Sequence, residues 1–297
     1  MKDIIFRVAR REDYHPLAQW IVAISQVPQQ HCLHSWSGDR ADALCQQWLS
    51  YLDDSELSYV IAFQEGDIVG AMGGEYDEAL GRGWLHGPHA TGETWETMAA
   101  ELFTRLLAEL PASIVELNAY LNVENERGRR LYAQRGFKER ESQSHEYWLS
   151  PSDRVVPGER PYGFLEERHE ASFVSLYEAL FPTAYYSGER MLSMIGTSHQ
   201  VFAVAEGNEV LGFAAVSVDE SASTGEIQFL GVREDRRGQG YGKRLLLWTT
   251  DWLLECAGVS RVCLNVGGDV ANARGLYESV GFKLQFTGVG LQKRLAD

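Results

Sequence analysis

Two stretches of this chain occur twice, in the same order. Glu65-Gly66-Asp67-Ile68-Val69-Gly70 returns as Glu206-Gly207-Asn208-Glu209-Val210-Leu211-Gly212, and Leu131-Tyr132-Ala133-Gln134-Arg135-Gly136-Phe137 returns as Leu276-Tyr277-Glu278-Ser279-Val280-Gly281-Phe282. A chain of 297 residues has room for two domains, each with its own core. Two copies are too few for a stacked solenoid, so the duplication implies two similar domains. Between the copies, residues 151–161 hold three of the eight prolines together with Gly158, a composition that favours a linker. The expected organisation is a first domain over 1–150, a linker over 151–161 and a second domain over 162–297.

Hydrophobic periodicity gives the same sequence of elements in both halves. In the first, a strand is expected over 4–8, a helix over 13–25 bearing Leu17, Trp20, Ile21 and Ile24, and helical spacing over 43–52. Strands over 59–63 and 68–72 flank a turn at 64–67, a hairpin signal. A short strand over 83–86 precedes the helical stripe Trp95, Met98, Leu102, Leu106 and Leu110, followed by a strand over 114–121 and a helix over 127–134. The second half predicts a strand over 162–165, helices over 172–180 and 188–194, and a hairpin of 201–205 with 210–218. A strand over 226–232, a helix from Tyr241, a strand over 261–266, a helix over 271–279 and a closing strand pair over 282–291 complete it. Strands joined by crossover helices imply mixed α/β layers in each half.

Chemistry concentrates between residues 225 and 252. After the strand comes Arg237-Gly238-Gln239-Gly240-Tyr241-Gly242, and then the helical stripe Tyr241, Leu245, Trp248, Trp252 and Cys256. Three glycines in five residues let the backbone approach a ligand closely, and the first turn of a helix offers unpaired N–H groups. That combination suits a diphosphate. Arg233, Arg236, Arg237, Lys243 and Arg244 stand against Glu234 and Asp235 here, in a chain of net charge −15, which also points to a bound anion.

Arg237-x-x-Gly240-x-Gly242 after a strand resembles the acetyl-CoA motif Q/R-x-x-G-x-G/A of the GNAT acetyltransferases, and Leu276 through Phe282 resembles that family's L-Y-x-x-x-G-F. The likeness is close over 160–297 and loose over 1–150. It implies an α/β (α+β) fold of two tandem GNAT-like domains, each a mixed, mostly antiparallel sheet flanked by helices. It further implies N-acetyl transfer from acetyl-CoA to a primary amine, on a small molecule or a peptide. Leu230, Gly231 and Val232 would then meet the pantetheine arm. Arg237, Gly238, Gln239, Gly240, Tyr241, Gly242 and Lys243 would meet the diphosphate. Glu226, where the family often places a general base, could take a proton from an ammonium group, and Tyr277 could protonate the departing thiolate. Strand alternation puts Glu226, Gln228, Leu230 and Val232 on one face. The family asparagine seven residues before the tyrosine is Val270 here, so Asn272 or Asn265 would supply that contact to the cofactor.

In the first half, Gly87 through Trp95 stands where the phosphate loop would be. Pro88 has no N–H to offer, and Glu93 places a carboxylate at a helix start, where it would repel a diphosphate. Trp84 matches Glu226. The first half is thus expected to be degenerate, either shaping the acceptor cleft or serving as a structural remnant. A non-catalytic acyl-CoA sensor with a retained pocket is the alternative reading of the whole chain. The negative charge argues against nucleic acid as a partner and is compatible with a cationic amine. No apolar run approaches a membrane span and no signal-peptide core is present, so a cytoplasmic protein is expected. Cys32, Cys45, Cys256 and Cys263 form no C-x-x-C pair, no metal is implied, and histidines such as His31, His34, His86 and His89 read as polar or packed residues rather than ligands.

Overall fold

The computed structural model describes residues 3–295 apart from 39, 93, 157–162, 183, 185, 197, 221–222 and 269–270, and leaves the side chains of 271 and 272 undescribed. The expectations placed on Glu93, Val270, Tyr162 and the side chain of Asn272 therefore lie outside the described residues. The chain divides into two compact units, Met1–Ser144 with Phe286–Asp297, and His145–Gln285.

In the first unit, β1 (Ile4–Val8), β2 (Leu57–Gln64), β3 (Asp67–Asp77), β4 (Arg82–Ala90) and β5 (Glu116–Asn122) lie side by side in that order. Neighbours from β1 to β4 are antiparallel and β4–β5 is parallel. Side chains alternate across the strands. Tyr59 and Ile61 meet α1 (Tyr14–Ile24) and α2 (Ala41–Asp53) in one core with Leu17, Ile21 and Trp48. Val60 and Ala62 face the other way, into a core with Met98, Leu102, Phe103, Leu131 and Tyr132 of α3 (Trp95–Glu109) and α4 (Glu126–Gln134).

The second unit repeats the plan. β6 (Lys138–Leu149) enters it at His145. Then follow α5 (Glu170–Leu180), α6 (Gly188–Met194), β7 (His199–Glu206), β8 (Glu209–Asp219), β9 (Thr224–Val232), α7 (Tyr241–Glu255), β10 (Arg261–Gly267) and α8 (Ala271–Glu278). β7, β8 and β9 are antiparallel neighbours, β9–β10 is parallel, and β6 lies beside β10. The duplication extends to register: the hairpins slip at Ala62/Phe63 and at Val204/Ala205, and the next strand pairs at Ala71/Gly73 and at Ala215/Val216.

The ends of the units are less regular than the sequence suggests. β11 (Lys283–Arg294) is one strand, not the closing pair expected over 282–291. From Phe286 onward it belongs to the first unit, where it runs antiparallel to β5 and buries Val289 and Leu291 with Leu117 and Leu121. β6 is not foreseen by periodicity, because 138–143 are exposed throughout. Of the strand expected over 162–165, the described residues 163–165 form a bridge between Phe164 and Phe202. At the start of the linker, Pro151–Asp153 forms a 3-10 turn, Arg154 pairs with Glu255, and Lys283 reaches Asp153 at 2.7 Å.

Candidate active site

Gly238 and Gly240 have φ of +76° and +84°, a region open to glycine and strained for other residues. Gly240 caps α7 without any side-chain hydrogen bond, and the first turn carries no acidic residue. The first N–H groups of α7 are thus left for an acceptor from outside the helix. α6, by contrast, is capped by Ser187 and α4 by Asn125. The local positive charge is smaller than the residue count suggests. Arg233 pairs with Asp235 at 2.7 Å and Glu209 at 2.9 Å, and Arg236 with Glu206 at 3.3 Å. Lys243 and Arg244 are exposed in the first turn of the helix.

Upstream of this loop, β9 and β10 are paired only from Arg261↔Thr224 to Cys263↔Glu226, although both strands run on. Where they part lies a cavity of about 260 Å³ lined by Phe181, Ile227 to Leu230, Leu264 to Gly267, and Tyr277. Tyr277, 8% exposed, packs on Tyr147 at 5.4 Å between ring centres. Burial, and secondarily Tyr147, raises its pKa above the ordinary phenol value, so the group keeps its proton at neutral pH. Gln228 contributes a buried Oε1 with no hydrogen-bond partner among the described residues.

The simple alternation expected for β9 does not hold. A bulge between Val216↔Ile227 and Ala215↔Phe229 inserts Gln228 and reverses the faces. Ile227, Leu230 and Val232 pack with α7, whereas Phe229 packs with α5. Glu226 therefore lies on the face opposite Leu230 and Val232. It stands beside Ser217, which faces His199, on one side and Cys263 on the other, a polar row across four strands.

Glu146, absent from the sequence reading, joins this face from β6. Its Oε2 accepts from Asn265 Nδ2 and its Oε1 from Trp148 Nε1, both at 3.1 Å. Burial, with a contribution from Glu226, raises its pKa to about 7 against the pull of both donors and Arg261. No local signal could have found it, since its role depends on which strand β6 joins. The same bond places Asn265 at the cavity wall with its amide turned to Glu146.

The matching place in the first unit is filled by its own chain. β4 and β5 part after Leu85↔Ala119, and residues 31–36 occupy the gap. Cys32 bridges Leu121 and lies 2.9 Å from the amide N of Gly87, and Ser35 Oγ lies 2.9 Å from His89 Nε2. Tyr132, the counterpart of Tyr277, donates to the Gly87 carbonyl at 2.7 Å. Pro88 lies in a strand and not in the loop position expected for it: 82–90 is strand, and only 91–94 connect β4 to α3, against 233–240 between β9 and α7. A cavity of about 550 Å³ does lie in this unit, but its charged lining is Glu124, Glu126 and Arg127, a poor match to a diphosphate.

Among the described residues, no group of three or more His, Cys, Asp or Glu could hold a metal ion, and no helix is long and apolar enough to cross a membrane. The four cysteines are free. His31, His86 and His89 are buried, and burial lowers the pKa of His34 to about 4 and that of His89 to about 3.

Residues 163–282 match the model of the Acetyltransferase (GNAT) family. Over the whole chain the fold is similar to that of solved structures. A GCN5-related N-acetyltransferase from Sphaerobacter thermophilus aligns with TM-score 0.66 and 19% identity, covering 98% of this chain and 95% of that one. A tandem GNAT protein from the clavulanic acid biosynthesis pathway aligns with TM-score 0.62 and 14% identity, covering 99% and 100%. A curated relative, the mycothiol acetyltransferase of Renibacterium salmoninarum, is 26% identical over 132 residues, 40% of this chain and 39% of that protein. The chain thus spans 20% and 39% of the length of curated relatives that it matches.

Proposed function

We propose that this chain, whose residues 163–282 match the acetyltransferase (GNAT) family, moves an acetyl group from acetyl-CoA to a primary amine in its second unit. The observation that carries the reading is the open gap between β9 and β10, which leads to an uncapped, acid-free helix start. Backbone N–H groups of residues 237–243 bind the diphosphate, with the positive end of α7 behind them. Beyond Glu226 the edge of β9 has lost its partner strand, so the amides of Leu230 and Val232 are candidates to hold the pantetheine arm.

The gap also explains how acid and base reach one reaction centre from opposite faces. Tyr277 belongs to the core on the α7 side and opens onto the cavity. Glu226 lies on the other side of β9. An amine freed of its proton by Glu226 attacks the thioester carbon, the C–S bond breaks, and Tyr277 protonates the sulfur. Asn265 and Asn272 remain the candidates for the family asparagine's contact. Only the second unit works in this way; residues 31–36 close the first.

Release of free thiol from acetyl-CoA, measured with a panel of amines, tests the proposal. Amines that also bear a thiol head the panel, because curated relatives are named mycothiol acetyltransferases. Amine-dependent release is the expected result. Tight binding of acetyl-CoA with no release to any amine would instead favour the sensor reading.

A further inference from the structure

Tyr147 and Leu149 point into the core beneath α7, so Glu146 and Trp148 point to the opposite face of the sheet, which also carries Glu226, Cys263 and Asn265. Both oxygens of Glu146 are held by fixed donors, Asn265 and Trp148. Asn265 is in turn part of the cavity wall, next to the unpartnered Oε1 of Gln228. Of the polar groups lining this opening, Asn265 commits an N–H to Glu146 and Gln228 Oε1 is left as an unpartnered acceptor, with Tyr277 on the opposite side. Such a wall favours a ligand rich in N–H, and an ammonium group brings three donors and no acceptor.

We propose that Glu146 is a second proton-accepting carboxylate of the acceptor site, working beside Glu226 across Asn265, and that the acceptor enters as an ammonium ion. This rests on the acetyl-transfer reading above. An ammonium must lose two protons before it is an amide nitrogen. The first N–H bond breaks towards Glu146, releasing the lone pair that forms the C–N bond at the thioester carbon. The second breaks towards Glu226 as the tetrahedral adduct collapses and the C–S electron pair moves to sulfur. Sulfur takes the Tyr277 proton, one of the two carboxylate protons restores the phenol through solvent, and the other leaves to water.

The surroundings of Glu146 suit a proton acceptor near neutral pH. Glu226 faces it from β9, Arg261 and Cys263 from β10, and His199 flanks Glu226 from β7. Burial and Glu226 hold the carboxylate near pH 7, while burial keeps the Cys263 thiol protonated. Lys283 is bound to Asp153.

The test is the pH profile of kcat/KM for the full-length chain with its best amine, alongside calorimetric binding of acetyl-CoA. Wild type should show an acid limb near pH 7. Glu146→Gln should lose that limb and at least tenfold in kcat/KM at pH 7.5, with acetyl-CoA affinity within twofold. Asn265→Ala removes a donor to the carboxylate and should move the limb to higher pH; if Glu146→Gln fails to fold, this variant alone decides. An unchanged limb in the variants overturns the proposal while leaving the acetyl-transfer reading intact. Absence of transfer by wild type to any amine overturns both.

Discussion

Tyr132 and Tyr277 occupy the same place in the same seven-residue motif, and their surroundings separate their roles. Tyr277 opens onto a cavity, whereas the hydroxyl of Tyr132 is buried and bonded to the Gly87 carbonyl. Tyr277→Phe keeps the packing on Tyr147 and removes the proton. Turnover should fall about 10²-fold or more with acetyl-CoA affinity unchanged, as single-turnover rates and calorimetry would register. Tyr132→Phe should do the reverse: full activity, and a loss of about 1–2 kcal/mol in urea unfolding from the stranded carbonyl. Glu146 adds a pH-dependent effect on stability. Its pKa rises from an ordinary 4.5 to about 7 on folding, so the folded state binds the proton more tightly. The contribution is full below about pH 4.5 and disappears as pH rises through about 7. Glu146→Gln does not titrate. It should therefore unfold at higher urea than wild type at pH 8.5, by on the order of 2 kcal/mol, with the difference closing below pH 5. Equal pH dependence in the two proteins would contradict the environment described for Glu146.

The glycine loop at 238–242 and α7 depend on backbone conformation more than on side chains. A Cβ at Gly240 would meet nothing within 4 Å, yet φ there is +84°. Gly240→Ala should weaken acetyl-CoA binding only by the cost of that conformation, about tenfold. Gly240→Asp adds a charge against the diphosphate and should abolish binding in the same titration. This element was legible in the sequence, because glycine spacing and helical periodicity are local signals. So were both hairpins and α3, for the same reason. β6 was not: residues 138–143 are polar and exposed, and the strand exists because its neighbours pair with it. The bulge at Gln228 was hidden too, since alternation read along one strand cannot reveal an extra residue opposite its partner. Glu146 follows from the first of these omissions, and the wrong face for Glu226 from the second. The segment that closes the first unit, 31–36, carries no periodicity and is placed only by the strands it joins.

The duplicated sequence does not fold as two contiguous halves. Phe286–Asp297 belongs to the unit formed by Met1–Ser144, and the second core takes Tyr147 and Leu149 from β6. Leu291→Ala, although near the C-terminus, should destabilise the first unit by about 2–4 kcal/mol, because Leu291 is 1% exposed among Leu117 and Leu121. Unfolding followed by probes in each unit would check this. A fragment beginning at residue 155 would lack Tyr147 and Leu149, so ligand stoichiometry is best measured on the full-length protein. Two similar folds, one open and one closed by its own chain, should give one acetyl-CoA per 297-residue chain. Isothermal titration of acetyl-CoA into the intact chain should return a stoichiometry of one, falling to zero in Gly240→Asp. Two equivalent sites, or binding that survives Gly240→Asp, would contradict the assignment of the acetyl-CoA site to the second unit alone.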